Sequence, residues 1–150
     1  MIAMEEAQDQ LKLDSRLSEQ GRVWQWVEAI ADRRELSPET RFAVHLCLEE
    51  ALANTVIHGY GSEPGNPILL SMMAKDGQLI FTVEDRAKPF VPPPVSACEP
   101  SDPVPSLETI VPGGNGIRLM RQFARSVVYE PLQSGNRLTL VFADDSSSLR

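Results

Sequence analysis

Eight of the chain's twelve prolines fall between Pro89 and Pro112, in the stretch RAKPFVPPPVSACEPSDPVPSLETIVP. Proline has no backbone N–H to donate, and its ring clashes with the preceding helical turn. No central helix or strand can therefore run through this stretch. It is a long connection, and a connection of this length inside a small domain is usually functional or disordered. Any fold has to be assembled from the residues on either side.

On the N-terminal side, LKLDSRL reads as a short first strand. Ser18 is placed to cap a helix in which Val23, Trp24, Val27, Ile30 and Ala31 recur at helical spacing. ELSPET stops that helix and starts another, with Ser37 as N-cap and Pro38 at the first helical position. The second helix runs to about His58, where HGYG ends it with glycines suited to left-handed backbone angles. NPILLSMMAKDGQLIFTVED predicts a hairpin turning at Asp76-Gly77. Its second strand points Leu79, Phe81 and Val83 one way and Ile80, Thr82 and Glu84 the other. Beyond the prolines, GGNGIRLMRQFARS predicts a helix with Ile117, Met120, Phe123 and Ala124 on one face. VVYEPLQSGNRLTLVF gives a closing hairpin that turns near Ser134-Gly135-Asn136, and ADDSSSLR (143–150) is a polar tail. The order βααββ, loop, αββ implies an α+β fold. It is a two-layer sandwich, with a mainly antiparallel sheet covered on one face by three helices.

The 150 residues suit one domain, with a core of about residues 11–142, and 42% apolar content can fill that core. No run approaches the ~20 apolar residues that span a bilayer, and the acidic N-terminus carries no basic region followed by an apolar stretch. The reading is a cytoplasmic protein without membrane contact. Two cysteines, Cys47 and Cys98, make no disulfide framework and read as free thiols. With His45 and His58 they form a poor zinc signature. A net charge of −7 and scattered basic residues argue against a nucleic-acid partner.

Three features carry chemistry. On the second helix, at about 100° per residue, Glu50 lies about 80° and Asn54 about 120° round from Phe42. They fall between Ile57 at about 60° and Cys47 at about 140°. A carboxylate and an amide thus sit inside an apolar arc, where burial is expensive. The spacing alone is equally satisfied by Glu50 pairing with a core partner such as His58 or an arginine. Asp85 continues the parity of Leu79, Phe81 and Val83 and ends the strand just before the prolines; its position also suits a turn aspartate bonding its own backbone. Gly113-Gly114-Asn115-Gly116 opens the third helix, where free N–H groups and the helix dipole favour an anion. A flexible hinge uses the same residues.

In this order the three features resemble the GHKL superfamily of ATPases, most closely the bacterial anti-sigma factor serine kinases of the RsbW type. EEALANTVIHGYG matches their helix motif, VEDRAKPFVP their first glycine box, and GGNGIRLMRQF with YEPLQSGNRLTLVF their second box and closing hairpin. The resemblance implies a histidine-kinase-like ATPase domain that uses ATP and Mg²⁺. Asn54 would ligate the Mg²⁺, Glu50 would be the general base, and Asp85 would accept from the adenine amino group. Ala87, Pro89 and Phe90 would line the first box. Gly114 and Gly116 would cradle phosphate below a lid over residues 92–112, with Gly113, Asn115 and Ile117 as further cofactor-binding residues. His58 and Gly59 would border the site, and Thr139 would lie near adenine.

The implied activity is phosphorylation of a serine on a STAS-domain antagonist, with sequestration of a sigma factor and homodimerisation as further implications. The alternative is a nucleotide-gated binding module with little or no catalysis. One departure stands out: Ala87 replaces the glycine often found two residues after the aspartate, and its methyl penalises positive φ.

Overall fold

The computed structural model describes residues 8–89 and 116–144. They form strand β1 (Gln8–Asp14), helices α1 (Gln20–Arg34) and α2 (Pro38–Ala53), and strands β2 (Pro67–Lys75) and β3 (Gln78–Asp85). Helix α3 (Gly116–Phe123) and strands β4 (Ser126–Leu132) and β5 (Gly135–Ala143) follow. The strands pair antiparallel throughout, in the order β1-β2-β3-β5-β4. Helix α2 packs against α1, α3 and β5 on one face of this sheet. The observed architecture is the α+β two-layer sandwich expected from the sequence.

Local chemistry explains the framework. Ser37 caps α2 by accepting the Thr40 N–H at 3.2 Å, and Pro38 occupies the first turn. Asp76 and Gly77 turn the β2–β3 hairpin with φ of 54° and 73°, the two left-handed residues that a tight hairpin needs. Leu79, Phe81 and Val83 face the helices and are 0–2% exposed. Phe81 meets Trp26 and Phe142 edge-on, at centroid distances of 6.0 and 5.8 Å. Fully burying such a side chain contributes ~1.5–3 kcal/mol, and each aromatic pair adds ~0.5–1.5 kcal/mol. The core joins Val27, Ile30 and Val44 from the helices to Leu70, Met72 and Leu140 from the sheet. Among the described residues, no helix is long and apolar enough to cross a membrane.

Three expectations need correction. Ser18 does not cap α1. It lies within a 3-10 turn, Leu17–Glu19, and the chain enters α1 already wound, without an extended cap residue. Trp24, counted on the buried face, is 53% exposed and stacks on His45 at 3.6 Å between ring centroids. Finally, α2 does not continue as an α-helix to His58. At Asn54 the backbone widens into a π-helical segment, Asn54–Gly59.

Candidate active site

The site is built where α2 changes its winding. Glu50 and Asn54, one turn apart, are 8% and 6% exposed, so the polar pair is buried as the helical arc implies. The negative charge of Glu50 reaches Cys47: burial first, and then that charge, push the Cys47 thiol up to about 12. Cys47 is a free, fully buried thiol with no nucleophilic character at neutral pH. The Asn54 Nδ2 is buried and makes no short hydrogen bond; its one contact is a weak donation towards the Tyr129 hydroxyl. A buried donor this weakly held is poorly satisfied, and π segments recur at functional sites.

Gly116, the first residue of α3, closes on this pair. A Cβ placed on it would lie 3.0 Å from Glu50 Oε1 and 3.1 Å from Asn54 Nδ2. Only a glycine lets the start of α3 come this near without displacing a side chain. The carboxylate, the amide and the start of a helix are thus brought together from two elements.

Asp85 ends β3 on the inward parity and forms the other wall. Together with Asn54, Thr55, Gly59, Tyr129 and Asn136 it lines a cleft of about 20 Å³. That is room for roughly one water. Asp85 Oδ1 accepts from the Ala87 N–H at 2.9 Å and from Asn136 Nδ2 at 3.0 Å. The local turn bond considered from sequence is therefore real, and the carboxylate also faces the cleft. Ala87 is not among the described residues with positive φ. The turn after Asp85 is made at negative φ, which an alanine tolerates. A Cβ on Gly59 would lie 3.3 Å from the Ala87 Cβ, so these two small residues pack together.

Of the other residues singled out by sequence, Ile117 is half-buried against the core and Pro89 is exposed. His58 is exposed and does not line the cleft. The π segment gives each turn about one extra residue, which carries His58 off the arc that an α-helix predicts. Thr139 is also misplaced by the resemblance. On β5 the buried positions are Asn136, Leu138, Leu140 and Phe142, so Thr139 lies on the face away from the helices, beside Thr82 and Val128. Phe90, Gly113, Gly114, Asn115, Cys98 and the 92–112 lid lie outside the described residues.

Five residues at the site were not singled out, one of them Thr55, which lines the cleft. Tyr129, from β4, shares a side-chain hydrogen bond with Asn54; burial pushes its hydroxyl up to about 12, so it stays protonated. Tyr60 accepts from the Arg86 N–H at 2.6 Å and donates to the Pro67 carbonyl at 2.7 Å, tying the π segment to the ends of β2 and β3. Asn136 is 4% exposed and bonds Asp85. Gly135, at φ 126°, lies so close to β3 that a Cβ would fall 1.8 Å from the Asp85 carbonyl oxygen. The inward parity of β5 was the available signal for Asn136, because it puts an amide in line with three buried apolar residues.

The family model for the histidine kinase-like ATPase domain matches residues 13–142 of this chain. The chain belongs to the histidine kinase-like ATPase domain family. The match takes in every described element of the site, from α2 to β5. The chain is also similar to the serine/threonine-protein kinase BtrW of Bordetella bronchiseptica, with 34% identity over 122 residues, covering 77% of this chain and 79% of that protein. Asn54, which Gly116 approaches beside Glu50, lines the same small cleft as Asp85.

Proposed function

We propose that this chain is an ATP-dependent protein-serine kinase that phosphorylates a STAS-domain anti-sigma antagonist and also sequesters a sigma factor. The observation that carries the reading is the packing of Gly116 onto both Glu50 and Asn54, the latter lining one cleft with Asp85. The kinase reading draws on the similarity to BtrW. The antagonist and the sigma factor come from the family resemblance of the motifs.

The residues suit Mg²⁺. This hard cation takes oxygen ligands, keeps several waters and needs only one or two protein groups beside substrate phosphates. Among the described residues there is no cluster of three or more His, Cys, Asp or Glu that would cage a metal by itself. Asn54 supplies an amide whose Nδ2 is held only by a weak contact to the Tyr129 hydroxyl. A half-turn about its last torsion exchanges nitrogen for oxygen, offering the ligand without moving the backbone. The ion, when bound, neutralises the charge developing on the transferred phosphoryl group.

Asp85 holds the adenine end by accepting from the 6-amino group. The start of α3, held open by Gly116, receives phosphate oxygens. Glu50 orients the serine hydroxyl of the substrate and takes its proton, as that oxygen bonds to the γ-phosphorus and the bond to the β-phosphate oxygen breaks. Cys47 and Tyr129 stay protonated at neutral pH and add no competing charge beside Glu50.

The test is incubation with Mg-ATP carrying a labelled γ-phosphate and a STAS-domain protein from the same source. Label is expected on serine, and Glu50→Gln should lower its rate by ~10²–10⁴-fold, the usual worth of a positioned base. Undiminished transfer by that variant removes Glu50 from the mechanism. The departure at Ala87 and the proline-rich stretch favour a second reading, in which nucleotide binding gates a partner and little is phosphorylated. Nucleotide-dependent partner binding without serine labelling would select it.

A further inference from the structure

We propose that Asn136 is a positioning residue that selects for a 6-aminopurine by fixing the orientation of the Asp85 carboxylate. The proposal rests on the reading above that Asp85 receives the adenine amino group.

Asn136 is set directly opposite Asp85 in the β3–β5 ladder. Its side chain lies on the inward face of β5, 4% exposed. The amide Nδ2 donates to Asp85 Oδ1 at 3.0 Å, to the Lys88 carbonyl at 2.9 Å and, more weakly, to the Ala87 carbonyl at 3.4 Å. An amide nitrogen has two hydrogens, so the two short bonds use them and the longest contact shares one. One side chain thereby ties the carboxylate at the end of β3 to the backbone that leaves it.

Asp85 Oδ1 then holds two donors, the Asn136 amide and the Ala87 N–H. A carboxylate can otherwise swap its two oxygens by a half-turn about its last torsion, because that torsion is broad and two-fold. Two donors on one oxygen oppose the swap and leave Oδ2 as the acceptor for a ligand. A purine with an amino group at position 6 offers the donor this oxygen needs. A 6-oxo purine offers an acceptor and is repelled, and a 6-unsubstituted purine offers nothing. A site built to bond a polar group discriminates strongly against the analogue that lacks it, because the buried acceptor is left unpaired. The close approach comes from Gly135, whose missing Cβ lets β5 pass within contact of the Asp85 and Arg86 backbone.

The experiment measures affinity for ATP, GTP and purine riboside triphosphate, each with Mg²⁺, in the full chain and in two variants. Wild type is expected to bind ATP at least ~10-fold more tightly than purine riboside triphosphate, the scale of one hydrogen bond to a charged group. Asn136→Ala should lose ~10-fold on ATP while binding purine riboside triphosphate within about twofold of wild type, so discrimination collapses. Asn136→Thr, which keeps a hydroxyl donor on a residue that suits a strand, should recover part of it. Equal weakening of both nucleotides by Asn136→Ala, with discrimination intact, overturns the proposal and leaves the ATP site standing. If Asn136→Ala does not fold, the threonine variant decides: a preference for ATP over purine riboside triphosphate smaller than that of wild type supports the proposal, and an undiminished preference overturns it. A wild-type chain that binds none of the three overturns the site reading and this inference with it.

Discussion

Gly116 stands against Glu50 with no room for a methyl group: a Cβ there would lie 3.0 Å from Glu50 Oε1 and 3.3 Å from Glu50 Cβ. The Glu50 carboxylate can shift by a few tenths of an ångström to admit an alanine, because its end is the flexible part. Gly116→Ala should therefore cost little stability, ~1 kcal/mol of overpacking. Displacing a catalytic carboxylate by the same amount is far more damaging to rate, on the order of 10-fold or more. Phosphotransfer and melting temperature measured side by side check this. A variant that loses stability and keeps its rate would place Glu50 outside the chemistry.

Gly135 is a different case, because its neighbour is backbone. A Cβ would sit 1.8 Å from the Asp85 carbonyl oxygen, at a φ of 126°. Neither β3 nor β5 can yield without breaking the ladder between them. Gly135→Ala is expected to destabilise the chain by ~3 kcal/mol or more, lowering its melting temperature by ~6–12 °C for a chain of this size. Calorimetric melting reads the effect.

Ala87 departs from the glycine of the family motif, yet the turn it occupies has negative φ. Restoring glycine should add freedom to the unfolded chain and nothing to the folded one. Ala87→Gly is therefore expected to lose ~0.4–1 kcal/mol of stability. Its ATP affinity should stay within about twofold of wild type, since Asp85 keeps its two donors. A large gain in affinity on titration would mean that the methyl obstructs the base.

Alkaline pH should unfold the chain through Tyr129 and Cys47. Burial pushes both up to about 12, from ordinary values of 10.0 and 9.0. Below about pH 8 both groups hold their protons in both states, so neither affects the equilibrium. As pH rises from about 8 (Cys47) and about 9 (Tyr129) towards 12, the unfolded chain releases protons that the folded chain keeps. Unfolding is favoured by at most ~1.4 kcal/mol per pH unit per group. Denaturant melts of Tyr129→Phe should show a shallower loss than wild type between pH 10 and 12. Parallel curves would contradict the burial of that hydroxyl.

Much of this was legible in the sequence, and the failures share causes. Ser37-Pro38, the Asp76-Gly77 turn and the alternation of Leu79, Phe81 and Val83 are local signals, and each fixed its element. Glu50, Asn54 and Asp85 stood out because a charge or amide inside an apolar pattern is costly. The same test applied to β5 finds Asn136, whose parity with Leu138, Leu140 and Phe142 places it inward; Thr139, singled out instead, lies on the other face. His58 was misplaced because a widening of the helix at Asn54 leaves no mark in residue spacing. Trp24 was misplaced because aromatic residues count as apolar in a periodicity, whereas this one finds its partner in His45 on the surface. Gly135 was seen only as a turn signal. Its closeness to Asp85 is a tertiary contact between residues 50 positions apart.

The central claim is that Asn54 and Asp85 serve one nucleotide from opposite ends of a single cleft. The melting temperature with and without Mg-ATP tests this most directly, in wild type, Asn54→Ala and Asp85→Ala. At a hundred times the dissociation constant, ligand binding stabilises the folded chain by ~2.7 kcal/mol, a rise of ~5–11 °C for a domain of this size. The account predicts that rise in wild type and its loss, at the same ATP concentration, in both variants. An unchanged wild-type melting temperature at millimolar Mg-ATP, or an equal rise in all three proteins, would contradict it.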